Sequence, residues 1–145
     1  MSKLLWTPSE ERVKETNIQR FIDAVNNKFQ MNIKDYPSLY QWSIDNIKDF
    51  WATTWDFTEV IYSSPYDEVV DDLSKMPGAK WFSGAKLNFA ENLLRYRDDR
   101  TALIFKGEDK VHRKITYKEL YNQVAKLSVS LKEMGIQPGD RVAAF

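Results

Sequence analysis

The sequence contains no cysteine. Disulfide scaffolds, thiolate zinc sites and cysteine nucleophiles are therefore excluded. It has one histidine, His112, so no multi-histidine metal cluster can be built from it. Glycine is scarce. Gly78, Gly84, Gly107, Gly135 and Gly139 are the full set, and none fall in a GxGxxG or GxxxxGK[ST] spacing. Such loops cradle phosphates on clustered backbone N–H groups, so the sequence offers no support for nucleotide binding by this segment. No apolar run approaches the roughly 18 residues that a membrane span requires. The opening stretch through Val25 carries Glu10, Glu11, Glu15 and Asp23 and no apolar run, unlike a secretory leader. These readings predict a soluble, cytoplasmic protein with no membrane partner.

What is present describes a globular domain. The 145 residues are 43% apolar and 29% charged, with 8 Phe, 7 Tyr and 5 Trp. A chain of this length can bury roughly 68% of the surface it exposes when unfolded. Formal charge is zero but unevenly spread. Residues 45–72 carry eight acids against Lys48 alone, whereas residues 75–145 carry fourteen basic and eight acidic side chains. The basic residues are scattered among acids, a poor nucleic-acid footprint, and no nucleic-acid partner is expected.

Thr7-Pro8-Ser9-Glu10 reads as an N-cap, a proline at the first helical position and an acid three residues after the cap. Val13, Ile18, Phe21, Ile22, Val25 and Phe29 then predict an amphipathic helix. Asp35-Tyr36-Pro37-Ser38 opens a second helical stretch, and Ser43 or Asp45 is expected to cap a third. Trp42, Ile47, Phe50, Trp51, Trp55 and Phe57 form a stripe expected to be core or a docking face. Val60-Ile61-Tyr62 is a strand candidate, and residues 58–86 otherwise read as an irregular strap. Asn88 and Glu91 predict the cap of a short helix. Ala102–Phe105 and Val111–Ile115 read as a hairpin. Thr116-Tyr117-Lys118-Glu119 is a capping box, followed by Leu120, Val124, Leu127, Leu131 and Met134 on one helical face. Gly135 is placed to end that helix, Pro138-Gly139-Asp140 to turn, and Arg141–Phe145 to open a strand.

A helix feeding an apolar strand is the start of an α/β sheet, whose strands need neighbours and covering helices. The expected class is thus α/β, in a fragment that ends at the start of a strand. It divides into a helical N-terminal cap (residues 1–57), an irregular strap with a short helix (58–100) and the start of an α/β large domain (101–145).

The search for chemistry returns little. His112 lies in a polar hairpin arm among cations and is expected to be exposed and non-catalytic. Asp67-Glu68 and Asp71-Asp72 are dense in charge but lack the alternation and central glycine of a calcium loop, and read as a solvated helix face. Ser83-Gly84-Ala85-Lys86 offers at most a single phosphate contact. Ser128 and Ser130 sit mid-helix without a G-x-S-x-G elbow. No residue is assigned a catalytic, cofactor-binding or metal-binding role.

Trp81-Phe82-Ser83-Gly84-Ala85-Lys86-Leu87-Asn88-Phe89-Ala90-Glu91-Asn92-Leu93-Leu94 resembles the N-terminal signature of short-chain acyl-CoA synthetases, within the adenylate-forming superfamily. Thr116–Leu120 through Gly135–Ala143 is similar to the general superfamily opening. Leu39-Tyr40-Gln41-Trp42-Ser43, Asp49-Phe50-Trp51 with Trp55, and Tyr66-Asp67-Glu68-Val69-Val70 resemble the acetoacetyl-CoA synthetase branch. The resemblance covers nearly all of this chain and only the opening part of a full-length member. It implies an enzyme that joins acetoacetate to coenzyme A with ATP and magnesium, through an acyl-adenylate. Acetate, propionate and other short-chain acids are the alternative substrates. The partners it implies are the remainder of the same polypeptide and small-molecule substrates. The family's phosphate loop, adenine-reading segment, ribose-binding aspartate, hinge and catalytic lysine do not occur here, so no family site residue carries over and the segment alone is expected to be inactive. The competing reading is a self-contained interaction module that uses the Trp42–Phe57 aromatic face.

Overall fold

The computed structural model describes residues 5–144. Two compact units divide between Leu87 and Asn88.

The first unit opens with two helices where the sequence pattern predicts one. α1 spans Glu10–Lys14 and α2 spans Asn17–Phe29. The first cap is Ser9, not Thr7: its hydroxyl accepts from the Arg12 N–H, with Glu10 and Glu11 following in the first turn. Pro8 therefore precedes the cap. The break has a local cause. Thr16 takes an extended backbone, accepts from the Gln19 N–H and donates its hydroxyl to the Val13 carbonyl, starting a new helix instead of continuing the old one.

Asp35 caps α3 (Tyr36–Asp45) as expected, accepting from the Ser38 N–H at 2.9 Å. α4 (Ile47–Phe57) starts at Asn46, not at Ser43 or Asp45. Asn46 closes α3 by donating its backbone N–H and its side-chain amide to the Trp42 carbonyl, so one residue both ends a helix and begins the next. The short link folds α3 and α4 against α2. Phe21, Ile22, Val25, Ile33, Leu39 and Trp42 form the core, with Phe29, Phe50 and Phe57 packed on it. Edge-on ring contacts join Phe21 to Phe50 at 5.8 Å and to Phe57 at 5.1 Å between centroids, a geometry that adds stabilisation beyond area burial. The Asn26 side chain anchors the loop that brings in Ile33, donating to its carbonyl and accepting from its N–H, both at 2.8 Å.

Val60–Tyr62 forms no strand. The strap instead contains a two-stranded antiparallel hairpin, β1 (Glu68–Val70) with β2 (Trp81–Ser83), and a bridge between Ser64 and Lys86. Three-residue strands carry too short an alternation to stand out from a loop.

The second unit contains α5 (Phe89–Leu93), the hairpin of β3 (Thr101–Lys106) and β4 (His112–Thr116), and α6 (Tyr117–Glu133). The ladder runs from Thr101 opposite Thr116 to Lys106 opposite His112, with an irregularity between Thr101 and Leu103. Asn88 caps α5, and Thr116 with Glu119 forms the reciprocal capping box on α6. Gly135, at φ +85°, lets the Gly135 and Ile136 N–H groups return to the Lys132 and Leu131 carbonyls, closing the helix in a Schellman motif. Pro138-Gly139 then turns, with Gly139 at φ +103° and Asp140 N–H bonded to the Gln137 carbonyl. Arg141–Ala144 make no strand pairing among the described residues. A strand is completed by a neighbour, and none is present; Phe145 lies outside the described residues. No described helix is long and apolar enough to cross a membrane.

Replacing Asn26 by Leu should destabilise the first unit by about 1–3 kcal/mol, because both Ile33 backbone groups lose their partner. Urea denaturation followed by tryptophan fluorescence measures this, and an unchanged midpoint would show that the anchor carries no weight.

Candidate functional site

The residues singled out for chemistry do not converge. His112 is exposed at the start of β4, opposite Lys106. Ser130 is absorbed in α6, where its carbonyl accepts the Met134 N–H. The Ser83–Lys86 loop serves the backbone. The Lys86 carbonyl accepts from the Ser63 and Ser64 N–H groups, and the Lys86 N–H returns to the Ser64 carbonyl.

The acidic cluster lies on the hairpin, not on a helix face. Asp67 precedes β1, Glu68 is within it, and Asp71 and Asp72 follow it. Helix spacing is irrelevant there, and Asp71 and Asp72 close turns. Asp71 accepts from the Lys80 N–H at 2.8 Å, the Lys75 ammonium at 2.9 Å and the Asp72 N–H at 2.7 Å. Asp72 accepts from both the N–H and the hydroxyl of Ser74. The Lys80 hydrogen bond, then that of Lys75, pushes the Asp71 carboxyl down to about 2. Hydrogen bonds from Ser38, Ser74, Arg100 and Thr116 likewise lower Asp35, Asp72, Asp98 and Glu119. All five are held in the charged form, whereas a general acid at neutral pH needs its carboxyl raised. They are caps and turn locks.

The aromatic stripe is mostly interior. Trp42 and Trp55 are buried and Phe50 and Phe57 partly so. A second aromatic layer was not evident in the sequence. Trp55 stacks on Phe82 at 4.7 Å and meets Tyr62 and Tyr66, and Phe82 also meets Tyr66. Phe82 sits at φ +50°, a left-handed conformation unfavourable for an aromatic residue. Gly84 follows at φ +87°, and a Cβ there would collide with the Asp67 side chain. The signal available in the sequence was the Phe-Ser-Gly run, whose glycine marks a turn without revealing which ring the turn presents. Trp51 and Trp81 meet edge-on at 5.8 Å and remain part exposed.

Two clefts remain. One, of about 370 Å³, lies among Ile18, Phe21, Tyr36, Leu39, Phe50 and Phe57 and is almost wholly apolar. The other, of about 550 Å³, lies within the second unit between Asn88, Glu91, Leu94, Arg97, Tyr121 and Ser128, with the Arg97 guanidinium 3.9 Å over the Tyr121 ring. No group of three or more His, Asp or Glu side chains suited to a metal ion occurs among the described residues.

Two family models match in tandem: "Acetyl-coenzyme A synthetase N-terminus" over residues 36–93 and "AMP-binding enzyme" over residues 89–145. They meet at α5, beside the boundary between the two compact units. An acetoacetyl-CoA synthetase of Danio rerio is 42% identical over 149 residues, 99% of this chain and 22% of its own length. A malonamoyl-CoA synthetase of Penicillium aethiopicum is 36% identical over 150 residues, 99% of this chain and 20% of its own length. The solved structure of acetoacetyl-CoA synthetase from Streptomyces lividans superposes with a TM-score of 0.82 at 36% identity, over 97% of this chain and 22% of that one. The chain thus spans about a fifth of the length of these relatives. Its helical region followed by strands and helix is the architecture that adenylate-forming enzyme has in its corresponding segment.

The Asp71 lock has a definite pH signature. Its folded carboxyl lies below the ordinary 3.8, so its stabilisation is present above that value and lost as pH falls towards about 2. The Lys80 amide resonance should move over this window and stay flat in Asp71→Asn. A Lys80 amide insensitive to acid in the unmodified chain would remove the lock. Gly84→Ala should disturb the Trp55–Phe82 stack, read as a change in near-ultraviolet circular dichroism.

Proposed function

We propose, from a chain that matches the N-terminal segment of acetoacetyl-CoA synthetases almost end to end, that it serves as the N-terminal part of an ATP-dependent acid–thiol ligase that makes acetoacetyl-CoA. The observation carrying this reading is continuity: the match runs through both compact units and reproduces their shape. In such a reaction the acid's carboxylate attacks the α-phosphate of ATP, pyrophosphate leaves, and the thiol of coenzyme A displaces AMP.

No residue of this chain is assigned to the phosphates of ATP or their magnesium. Among the described residues no group of three or more His, Asp or Glu side chains suited to a metal ion occurs. The five glycines build no phosphate cradle. No catalytic step is assigned to this chain's residues. On this reading they form a frame: a helical layer closed by aromatic packing, then a hairpin and helix that open an α/β sheet. The 145 residues alone are inactive.

A different short-chain acid is the second reading. It is supported by the acetyl-coenzyme A synthetase model over residues 36–93 and by the malonamoyl-CoA synthetase relative, which keeps this segment at 36% identity. The aromatic interaction module has less support, because the rings it would offer are mostly used in the core.

The test is to recover the polypeptide from its native source, measure its intact mass, and assay AMP and thioester formation with acetoacetate, acetate, propionate and malonamate. The expected result is a polypeptide several times longer than 145 residues that prefers acetoacetate, with no activity in the 145-residue chain. A native polypeptide of only 145 residues that activates no acid would overturn the proposal; a preference for another acid would select the second reading.

A further inference from the structure

The aromatic layer between α4 and the β1–β2 hairpin is closed at one end and open at the other. Trp51 and Trp55 lie one turn apart on α4, and residues four apart share a helix face. Trp55 is buried against Phe82, with Tyr62 and Tyr66 beside it. Trp51 meets Trp81, and both stay open to solvent, at 40% and 43%. Trp51, Trp81 and Phe82 together line a cup of about 330 Å³.

The walls of the cup are braced from behind. Trp51 meets Phe50 edge-on at 5.3 Å and Trp81 at 5.8 Å. Phe82 lies against Trp55 and Tyr66. Strand alternation would set Phe82 on the face opposite Trp81. Its backbone departs from that alternation at φ +50°, and its ring lines the same cup. Left-handed backbone at a bulky residue is unfavourable, and such residues cluster where ligands are clamped.

The charge around the cup is mostly negative. Residues 45–72, which supply Trp51 and β1, carry eight acids against Lys48 alone, one turn before Trp51. Glu68 pairs with Ser83 and Val70 with Trp81, so Glu68 and Trp81 are diagonal neighbours on one face, about 7 Å apart. The Asp67 carboxylate lies over Gly84, two residues past Phe82, where a Cβ would strike it. Neither Asp67 nor Glu68 is ion-paired among the described residues. Lys75 is already held by Asp71 and Asp72. Lys80 adjoins Trp81, and alternation directs it to the other face.

We propose that Trp51, Trp81 and Phe82 form a binding cup for a small quaternary ammonium compound with no carboxylate of its own, such as choline. Aromatic rings attract a cation through their quadrupoles. A primary ammonium would bring N–H donors that need acceptors, and a cup lined by three rings offers few. A trimethylammonium head brings none and packs its methyl groups on the rings. A carboxylate on the ligand would meet Asp67 and Glu68. The claim stands on the first unit and does not rest on the ligase reading.

The test is a titration of choline chloride into the native-length polypeptide labelled with fluorotryptophan. Trp51→Phe and Trp81→Phe assign the two fluorine signals. Both signals should move saturably with choline, while those of Trp6 and Trp42 stay in place. Betaine, and the neutral choline analogue in which carbon replaces nitrogen, should each bind at least about fivefold more weakly. Glu68→Gln, at an exposed position, should weaken choline severalfold and leave the neutral analogue unchanged, a difference that loss of structure would not produce. Equal affinity for choline and the neutral analogue would reduce the cup to an apolar patch and overturn the proposal. Absence of saturable shifts at Trp51 and Trp81 would overturn it as well.

Discussion

Helix α4 is clamped between two layers of aromatic rings, and the order of the first unit depends on that clamp. On one side Phe50 and Phe57 meet Phe21 edge-on, tying α4 to α2. On another, Trp55 lies against Phe82 with Tyr62 and Tyr66 beside it, tying α4 to the β1–β2 hairpin. Two three-residue strands have little stability of their own, so their place is fixed by what Phe82 packs on. The left-handed backbone at Phe82 is tolerated because the stack rewards it, and Gly84 beside it lets the chain close over Asp67. Strain, glycine and ring stacking are one device.

The acidic residues take the same role by electrostatic means. Asp71 gathers three donors across the turn from β1 to β2, and its carboxyl is lowered by the Lys80 and Lys75 hydrogen bonds. Carboxylates stabilised in this way are poor proton donors at neutral pH. Within the acidic stretch, Asp71 and Asp72 are used in tying the turn that follows β1. Charge density alone does not distinguish a turn lock from a metal or acid–base role; for Asp71 and Asp72 the hydrogen-bond partners do.

How far the fold was legible follows from how local each signal is. The caps at Asp35, Asn88 and Thr116, the stop at Gly135 and the Ala102–Ile115 hairpin were readable because each depends on residues a few positions apart. Ser9 displaced Thr7 because two adjacent cap formers both precede acids, and local chemistry does not rank them. Thr16 broke the first helix because one hydroxyl both caps and back-bonds, while apolar periodicity continues across it unchanged. The β1–β2 hairpin escaped because pairing Glu68 with Ser83 is a long-range event that leaves no period in three residues. The Trp55–Phe82 layer was not foreseen, since nothing local says which ring a Ser-Gly turn will present.

The contrast between the two units bears on where specificity would reside. On the proposed reading this segment frames a ligase without touching its chemistry, and it is kept at 36–42% identity in relatives named for acetoacetate and for a malonamoyl acid alike. On that reading a frame constrained by ring packing, caps and turn locks changes little when the acid changes. The first unit can then be selected for its own stability, since its core is complete. The second buries far less, with Leu103, Ile104, Phe105 and Leu127 all exposed. Substitutions in the two units should therefore behave differently: those in α2–α4 act on local stability more than those at the exposed positions of α6 and β3.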